Sequence, residues 1–410
     1  MAEILVLGAG MVGIGAALAL QARGHAVTVV DRRGPGEETS FGNAGVLQAE
    51  AMEPYAMPRD LPTLLRYALG RSNDVVWSLR DLPGIAPALL AYFRASAPER
   101  HARISKTYAQ LITRVLSDHG SLIEAAGADN LVRRTGLGEI YRTARAFDAA
   151  YARAEKKATR YSLRLRALDS TELAPEEPAI AGEMAGALIW GDSWSCSDPG
   201  GLVTSYAQLF QNRGGRLLQG DAQTLERAGT GWRVDTCTGP VDAQHAVIAL
   251  GPWSGPLLSR FGYRVRMLLM RGYHTHVSNT PELSRPYLDA EHGYVMSSMR
   301  DGLRLTTGAE FVRQDRPQSR RQLDRALRAA GELLAADMSA EGKLWHGHRP
   351  FRPDMLPLVG PAPRHKGLWF DFGHGHHGFT LGPTTGELLA AQLEGDTPPA
   401  AQSLLAAACL

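Results

Sequence analysis

The sequence predicts an α/β protein of two domains, and three observations lead to that fold class. The chain has 410 residues, which is more than one hydrophobic core usually serves. Its start reads as strand, glycine-rich turn, helix and strand, the beginning of a parallel βαβ unit. Further along, helical stretches alternate with groups of short strands, so both kinds of element are expected in the core.

Hydrophobic periodicity predicts the elements in order. Continuous or alternating β-branched runs indicate strands, and apolar residues spaced three and four apart indicate helices. The predicted strands are 3–7, 25–31, a pair within 131–143 that turns at 136–138, 216–225, 232–236, 244–250 and several within 265–307. The predicted helices are 11–23, a helical region without strands over 59–126, 145–160, 202–213, 318–337 and 383–394.

Composition and charge exclude several classes of protein. Hydrophobic residues make up 44% of the chain, as in folded globular proteins, and the net charge of +2 gives no reason to expect a nucleic-acid partner. The apolar stretch 4–20 is short for a membrane span and lacks the basic start of a signal peptide. Cys196, Cys237 and Cys409 share no CxxC spacing, which argues against disulfides or zinc and favours the cytoplasm.

A glycine-rich turn joins the first strand to the first helix. Gly8-Ala9-Gly10-Met11-Val12-Gly13 matches the pattern GxGxxG. In this pattern the first glycine permits a tight turn, the second admits a pyrophosphate against bare backbone, and the third lets the helix pack on the strand. The helix N-terminus then offers free N–H groups and the positive end of its dipole to the phosphates.

An acidic residue follows at the end of the second strand. Asp31 lies 23 residues after Gly8, where a carboxylate accepts hydrogen bonds from a ribose diol. Arg32 and Arg33 beside it leave a 2′-phosphate open as an alternative. A Rossmann-type dinucleotide-binding domain is therefore predicted. The turn alone does not distinguish NAD from FAD, but an NAD domain usually completes its parallel strands promptly, whereas this chain first inserts about a hundred mostly helical residues.

Further motifs are spread along the whole chain. They are Thr39-Ser40-Phe41-Gly42-Asn43-Ala44-Gly45, Asp198-Pro199 before a helix, Ala249-Leu250-Gly251-Pro252-Trp253-Ser254, Arg271-Gly272-Tyr273-His274, Gly308-Ala309-Glu310, Gly347-His348-Arg349-Pro350 with Pro353-Asp354, and Gly373-His374-Gly375-His376-His377-Gly378. Together these motifs resemble the D-amino-acid oxidase superfamily of FAD oxidoreductases. Within it the chain looks like the bacterial D-amino acid dehydrogenases, glycine oxidases and glyphosate oxidoreductase.

The resemblance implies a fold and a division of the chain. We expect an FAD-binding domain assembled from 1–50, 196–262 and 340–410, and a substrate-binding domain with a mixed β-sheet from 51–195 and 263–339. It also implies oxidation of the Cα–N bond of a small amino acid by hydride transfer to the flavin.

The same resemblance implies that the chain holds FAD. Binding is expected to be non-covalent because residues 361–379 contain no cysteine. No metal is expected, since the three histidines after Gly373 stand among glycines, without carboxylates or cysteines at ligand spacing. The expected cofactor contacts are Gly8, Gly10, Met11, Val12, Gly13, Asp31, Arg32, Arg33, Thr39, Ser40, Asn43, Ala44, Gly45, Val46, Ala222, Ala249, Leu250, Gly251, Trp253, Gly375, His376, His377, Gly378, Phe379 and Thr380.

Three residues are candidates for the chemistry. Arg349 matches the arginine of the family's G-x-R-P motif, which implies a bidentate clamp for the substrate carboxylate; the alternative is an ion pair with Asp354. Tyr294 is expected on a strand that presents an active-site tyrosine, although a core position is equally open. Of His274 and His276, only one is expected to point inward, and His274 is the choice for proton transfer.

Several alternatives stay open at this stage. The substrate could be a secondary amine or imino acid such as sarcosine, D-proline, D-hydroxyproline or glyphosate, all of which keep a carboxylate for Arg349. The chain could also be the flavin subunit of a heteromeric amine or opine dehydrogenase. An NAD-dependent dehydrogenase would leave the C-terminal motifs unexplained. The electron acceptor could be a quinone, a dye or oxygen, and a peripheral position at the inner membrane is open, as is the oligomeric state.

Overall fold

The computed structural model describes residues 1–339 and 341–406. Cys409, which the sequence analysis discussed, lies outside these residues. The helices of the described part are α1 Met11–Ala22, α2 Leu61–Ala68, α3 Leu82–Ala95, α4 Pro98–Ile112, α5 Val115–Ala125, α6 Ala144–Tyr161, α7 Ser170–Leu173, α8 Pro199–Asn212, α9 Ser254–Arg260, α10 Arg321–Leu334, α11 Gly378–Leu393 and α12 Pro399–Ala406.

The strands fall into three sheets. Numbered along the chain, they are β1 Glu3–Leu7, β2 Ala26–Asp31, β3 Val46–Leu47, β4 Val75–Trp77, β5 Val132–Arg133, β6 Leu137–Tyr141, β7 Leu165–Asp169, β8 Gly186–Trp190, β9 Trp194–Cys196, β10 Arg216–Ala228, β11 Gly231–Thr236, β12 Gly239–Ala243, β13 His245–Ile248, β14 Leu268–Val277, β15 Tyr287–Asp289, β16 Tyr294–Met299, β17 Gly302–Thr307, β18 Ala309–Phe311, β19 Glu341–Phe351, β20 Leu358–Pro361 and β21 Leu368–Phe372.

The first sheet has a parallel centre and antiparallel edges. Its order is β12-β11-β10-β2-β1-β13-β21-β20, and the five strands from β10 to β21 run parallel. Ile4 and Val6 of β1 face a core shared with α1, α8 and α11, whereas Leu5 and Leu7 face a second core that includes residues of α9. Coverage on both faces explains why β1 and β2 read as continuous apolar runs.

Helices α1 and α11 pack closely through glycines. A Cβ on Gly15 would lie 2.9 Å from the Gly382 backbone, and a Cβ on Gly386 would lie 2.6 Å from the Ala16 amide nitrogen. Small residues therefore let the two helix backbones approach, so that the start of α11 lies beside the glycine-rich turn. This contact positions the C-terminal glycine loop next to the first βαβ unit.

The second sheet is larger and of mixed direction. Its order is β4-β18-β14-β17-β16-β15-β6-β8-β7, and a tenth strand, β19, also pairs with β14. One face packs on α10 in a core that contains Tyr294, Met296 and Leu305. The strand β19 falls within the segment 340–410 that was expected in the FAD-binding part, yet its ladder is with β14 of this sheet, and only its last residue, Phe351, also bridges to His374.

The structure corrects three sequence-based expectations. Strand β4 interrupts the region 59–126 that was expected to be wholly helical. The strands within 131–143 do not pair with each other: β5 pairs β9, and β6 pairs β8 and β15. Helix α11 begins at Gly378 and continues through Pro383, because the Phe379 carbonyl that proline cannot satisfy contacts His119 Nε2 at 3.1 Å.

Candidate active site

A cavity of about 1000 Å³ runs between the two large sheets. Its lining begins at Gly8 and Asp31 of the first βαβ unit and extends to Arg349 of the second sheet. Such an elongated cavity, with a glycine turn at one end and a half-buried cation at the other, suits a dinucleotide with a small anionic substrate beyond it.

The glycine turn forms one end of the cavity. Gly8 has a φ of +111°, and a Cβ there would collide with the Ala249 carbonyl group, so only glycine fits. Gly10 is the N-cap of α1 in extended conformation, and the next amide, that of Met11, donates to Ser40 Oγ at 3.0 Å. The turn thus presents bare backbone and a helix N-terminus to the cavity.

Asp31 is held in place by backbone amides. Its Oδ2 accepts from the Ala9 amide at 2.7 Å and its Oδ1 from the Arg33 amide at 2.9 Å. Each carboxylate oxygen keeps a further lone pair for a hydroxyl donor in the cavity. Arg32 pairs with Glu38 and lies over the ring of Trp253 at 4.3 Å.

The loop 39–46 borders the middle of the cavity and is fixed by a buried arginine. Arg304 Nη1 donates to the carbonyls of Phe41 at 2.9 Å and Asn43 at 2.7 Å, while Asn43 Oδ1 accepts from the Gly45 amide at 2.8 Å. Burial lowers the pKa of Arg304 to about 10, which leaves it charged at neutral pH. Arg304 matches no motif and lies on β17, far along the chain from the loop, so the sequence does not indicate its role.

We expect Arg304→Met to weaken FAD binding without unfolding the protein. The variant leaves two loop carbonyls without their charged donor, which typically costs about 1.5–3 kcal/mol per hydrogen bond, so FAD affinity should fall by at least tenfold. Titration of the apoprotein with FAD measures this. The matched control is Arg300→Met, an exposed arginine near the same sheet, which should bind FAD as the unsubstituted protein does. Equal affinities for all three proteins would contradict the role given to Arg304.

The structure brings most of the expected cofactor contacts to the cavity and places five elsewhere. Gly13 lies beneath the turn, where a Cβ would collide with the Gly8 carbonyl. Arg33 points to a separate surface cleft, and Gly45 packs against the Cys196 carbonyl. His377 Nδ1 bonds the Tyr108 hydroxyl at 2.6 Å, and Thr380 Oγ1 donates to the Val46 carbonyl at 3.3 Å. Gly13, Gly45, His377 and Thr380 thus lie behind the wall of the cavity, whereas Arg33 is exposed at the surface.

Arg349 lies at the far end of the cavity. Its guanidinium donates to the carbonyls of Gly308 at 3.0 Å and Thr307 at 3.1 Å, and among the described residues it forms no ion pair with an acid. Asp354, the alternative partner, instead pairs with Arg352 at 2.6 Å. Burial lowers the pKa of Arg349 to about 10, so the group still carries its charge at neutral pH.

Glycine makes room for this guanidinium. Gly272 lies opposite Gly347 on the neighbouring strand, and a Cβ at Gly272 would come within 2.6 Å of Arg349 Nη2. Within the strand motif Arg271-Gly272-Tyr273, Gly272 therefore lies next to the cavity, where it leaves room for Arg349 and contributes no side chain. The result is a half-buried cation that faces the cavity and has donor capacity left for a carboxylate.

Tyr294 takes the core position that the sequence left open. Its ring packs on the α10 face of the second sheet, and the Arg142–Asp289 ion pair is its charged neighbour. Residues of a strand alternate between faces, so it is Val295 and Ser297 that face the other way, where Ser297 Oγ donates to the Ala44 carbonyl. Tyr294 is nevertheless among the residues that line the cavity, next to Val295, so its role at the site stays a prediction.

His274 and His276 lie on the same face of β14, because residues two apart in a strand share a face. Their rings are 5.3 Å apart, so the expectation that only one could point inward was wrong. His274 stacks on Trp345 at 4.6 Å and is absent from the cavity lining, while burial and Arg304 lower its pKa to about 2. His276 accepts from Arg304 Nε at 3.0 Å. Neither imidazole is placed to exchange protons with a ligand of the cavity.

Two aromatic side chains near Arg349 are better placed than His274 and His276 to contact a ligand of the cavity. Tyr55 and His376 both line the cavity, with ring centroids 5.4 Å apart, and the charge of Arg349 acts on both. Surrounding protein and Glu50 raise the pKa of Tyr55 to about 12, so it stays a neutral phenol. Tyr55 was missed because it stands in a loop without a motif, whereas His376 was expected only as a cofactor contact.

Comparison with known proteins agrees with this geometry. The family model described as FAD dependent oxidoreductase matches residues 3–392. A D-amino-acid oxidase of Bradyrhizobium diazoefficiens is 31% identical over 97% of this chain and 96% of its own, and a D-amino acid dehydrogenase of Paramagnetospirillum magneticum is 32% identical over 96% and 95%. Glycine oxidase from Geobacillus kaustophilus has the same fold, with a TM-score of 0.74 at 22% identity over 97% of this chain and 96% of its own. The chain therefore belongs to the FAD dependent oxidoreductase family.

Proposed function

We propose that this protein oxidises the Cα–N bond of a free amino acid, and that Arg349 holds the substrate carboxylate. The observation that carries the proposal is a half-buried, charged guanidinium that faces the cavity and has no acidic partner among the described residues. A carboxylate stabilises such a charge, because it can accept two parallel hydrogen bonds from the guanidinium.

The residues of the cavity fit FAD. Gly8, Gly10 and the start of α1 suit a pyrophosphate, Asp31 suits a ribose diol, and the cavity continues from them to Arg349. When bound, FAD supplies the acceptor for the hydride that leaves Cα. The protein binds and orients the amino acid, and water hydrolyses the resulting imine to a 2-oxo acid and ammonia.

The relatives support a D-amino acid as the substrate. The Bradyrhizobium diazoefficiens and Paramagnetospirillum magneticum proteins carry the names D-amino-acid oxidase and D-amino acid dehydrogenase. The shared carboxylate of D-amino acids fits Arg349 whatever their side chain. Anaerobic addition of D-amino acids to the flavin-loaded protein tests the proposal directly, since a substrate bleaches the flavin absorbance.

The two large sheets support a division of labour along the chain. In this division, the segments of the first sheet, with α1, α8 and α11, hold FAD non-covalently, and the second sheet with β19 and α10 holds the substrate. The boundary in the last third then follows Phe351, because β19 carries Arg349 and pairs with β14. Release of free flavin by acid precipitation tests the non-covalent binding.

We also propose that the protein binds a membrane surface peripherally and passes its electrons to a quinone. No helix within the described residues is long and apolar enough to cross a bilayer. Helix α2, however, exposes Leu61 and Leu65, and its C-cap residue Leu69 continues the spacing of four residues; each of the three is more than half accessible. Leu64 and Tyr67 of the same helix line the cavity. Exposed Arg59, Arg66 and Arg71 flank the leucines, which fits an anionic lipid surface.

We expect the triple variant Leu61→Gln, Leu65→Gln, Leu69→Gln to bind vesicles of phosphatidylglycerol and phosphatidylcholine about tenfold more weakly than the unsubstituted protein, because it removes the apolar stripe. Co-sedimentation measures the binding. Tyr151→Gln, at an exposed aromatic residue of α6, is the control and should bind unchanged. If the triple variant sediments with vesicles as before, or if the unsubstituted protein does not sediment at all, α2 is not a membrane surface.

A further inference from the structure

The three histidines of the C-terminal glycine loop have different surroundings. His374 Nε2 contacts Thr385 Oγ1 at 3.0 Å, and His377 Nδ1 contacts the Tyr108 hydroxyl at 2.6 Å, so both are tied to the protein interior. His376 instead lines the cavity and forms no hydrogen bond with the described residues; its ring contacts are an edge-on one with Tyr55 and a tilted one with His377. It stands at a variable position of the G-H-G-x-x-G pattern.

Burial, and after it the neighbouring positive charges, keep His376 neutral in the absence of a ligand. The titratable groups that act on it or contact it are Arg349 on β19, His377 on the same loop and Tyr55 in the loop before α2. Burial, with the positive charge of Arg349, holds the pKa of His376 well below its ordinary value. A neutral imidazole has one nitrogen with a free lone pair, which can accept a proton.

A bound amino acid changes this balance. Its carboxylate, paired with Arg349, cancels the charge that suppresses protonation of His376. Its α-ammonium group has no lone pair to stabilise the carbon from which hydride leaves, so one N–H proton must be removed first. The same cavity is thus lined by the guanidinium of Arg349 and by the imidazole of His376, on which the charge of Arg349 acts and which has no hydrogen-bond partner among the described residues.

We propose that His376 accepts this proton from the α-ammonium group of the substrate, which makes it a catalytic residue of the reaction. One N–H bond of the substrate breaks, one N–H bond forms on the imidazole, and the positive charge passes from substrate to His376 before hydride leaves Cα. The inference rests on the proposed amino acid oxidation.

The test compares His376→Gln with the unsubstituted protein in anaerobic flavin reduction by a D-amino acid, between pH 6 and pH 10. Without the imidazole the amine must lose its proton to water, and an alkylammonium has a pKa of about 10. We expect kred/Kd of the variant to be about 100-fold lower at pH 7 and to approach the unsubstituted value near pH 10. His365→Gln, which alters a histidine bonded to Tyr263 outside the cavity, should keep the unsubstituted profile.

Two further measurements, benzoate binding and flavin reduction of the unsubstituted protein, separate failure of the role of His376 from failure of the proposed function. Binding of benzoate, a carboxylate without an amine, perturbs the flavin spectrum, and its affinity should stay within about twofold in His376→Gln because Arg349 is intact. A uniform loss of rate at all pH values, or no loss, would show that His376 is not the proton acceptor. If the unsubstituted protein is itself not reduced by any amino acid, the proposed function fails instead, and the two failures are thereby distinguished.

Discussion

Arg349→Met should lower kcat/KM for an amino acid by about 10³-fold while leaving the bound flavin unchanged. The variant removes two charge-assisted hydrogen bonds to the substrate carboxylate, each typically of about 1.5–3 kcal/mol. Arg349 does not touch the glycine turn or Asp31, so FAD affinity should stay within about twofold. Steady-state kinetics and FAD titration of the same preparation measure the two effects.

The matched variant is Arg349→Lys, which keeps the charge but not the fork of donors. Its kcat/KM should lie between that of Arg349→Met and that of the unsubstituted protein, because a point charge attracts the carboxylate without fixing its orientation. A kcat/KM for Arg349→Met within about threefold of the unsubstituted value would show that the carboxylate binds elsewhere.

Gly10→Ala should lower FAD affinity by about 100-fold or more in a protein that still folds. A Cβ on Gly10 would lie 3.3 Å from Ser40 Oγ, a flexible side-chain atom that can move, and Gly10 has no positive φ that alanine would strain. The added methyl group would instead project where the pyrophosphate meets the backbone, and lost phosphate contacts at this position cost several kcal/mol. FAD titration and the Tm of the apoprotein measure affinity and folding separately.

Gly84→Ala is the control for this prediction. It lies in α3, where an added Cβ meets nothing within 4 Å, so neither FAD affinity nor Tm should fall. Gly13→Ala should differ from both, because its Cβ would collide with the Gly8 carbonyl and the apoprotein itself should lose stability. Unchanged FAD affinity in Gly10→Ala would contradict the placement of the pyrophosphate at this turn.

The features that were predicted correctly from the sequence depend on residues that lie close together in the chain. The βαβ unit, the turn Gly8–Gly13 and the acid Asp31 are local patterns, and the structure confirms the strand, helix and strand that carry them. The assignment to FAD oxidoreductases came from motifs in their own local context, and the family match over residues 3–392 confirms it.

The sequence could not settle which way a side chain points on a strand. A shift of one residue exchanges the two faces, and this is why the sequence left both a core and a cavity position open for Tyr294, whose ring packs in the core with α10 and which also lines the cavity. Nor could it reveal contacts between distant segments. Helix α11 passes through Pro383 because His119, some 260 positions earlier, satisfies the freed carbonyl, and the loop at Phe41 is held by Arg304 of another sheet.

The most direct test of the account is the absorbance of the flavin on the purified protein under anaerobic conditions. Candidate substrates are added one at a time: D-amino acids, glycine, sarcosine, D-proline, D-hydroxyproline and glyphosate. We predict that FAD is bound and that D-amino acids bleach it, with the bleaching lost in Arg349→Met. Bleaching by sarcosine or an imino acid alone would move the substrate to secondary amines. A bound flavin that none of these compounds reduces would contradict amino acid oxidation by this chain and favour a requirement for a partner subunit.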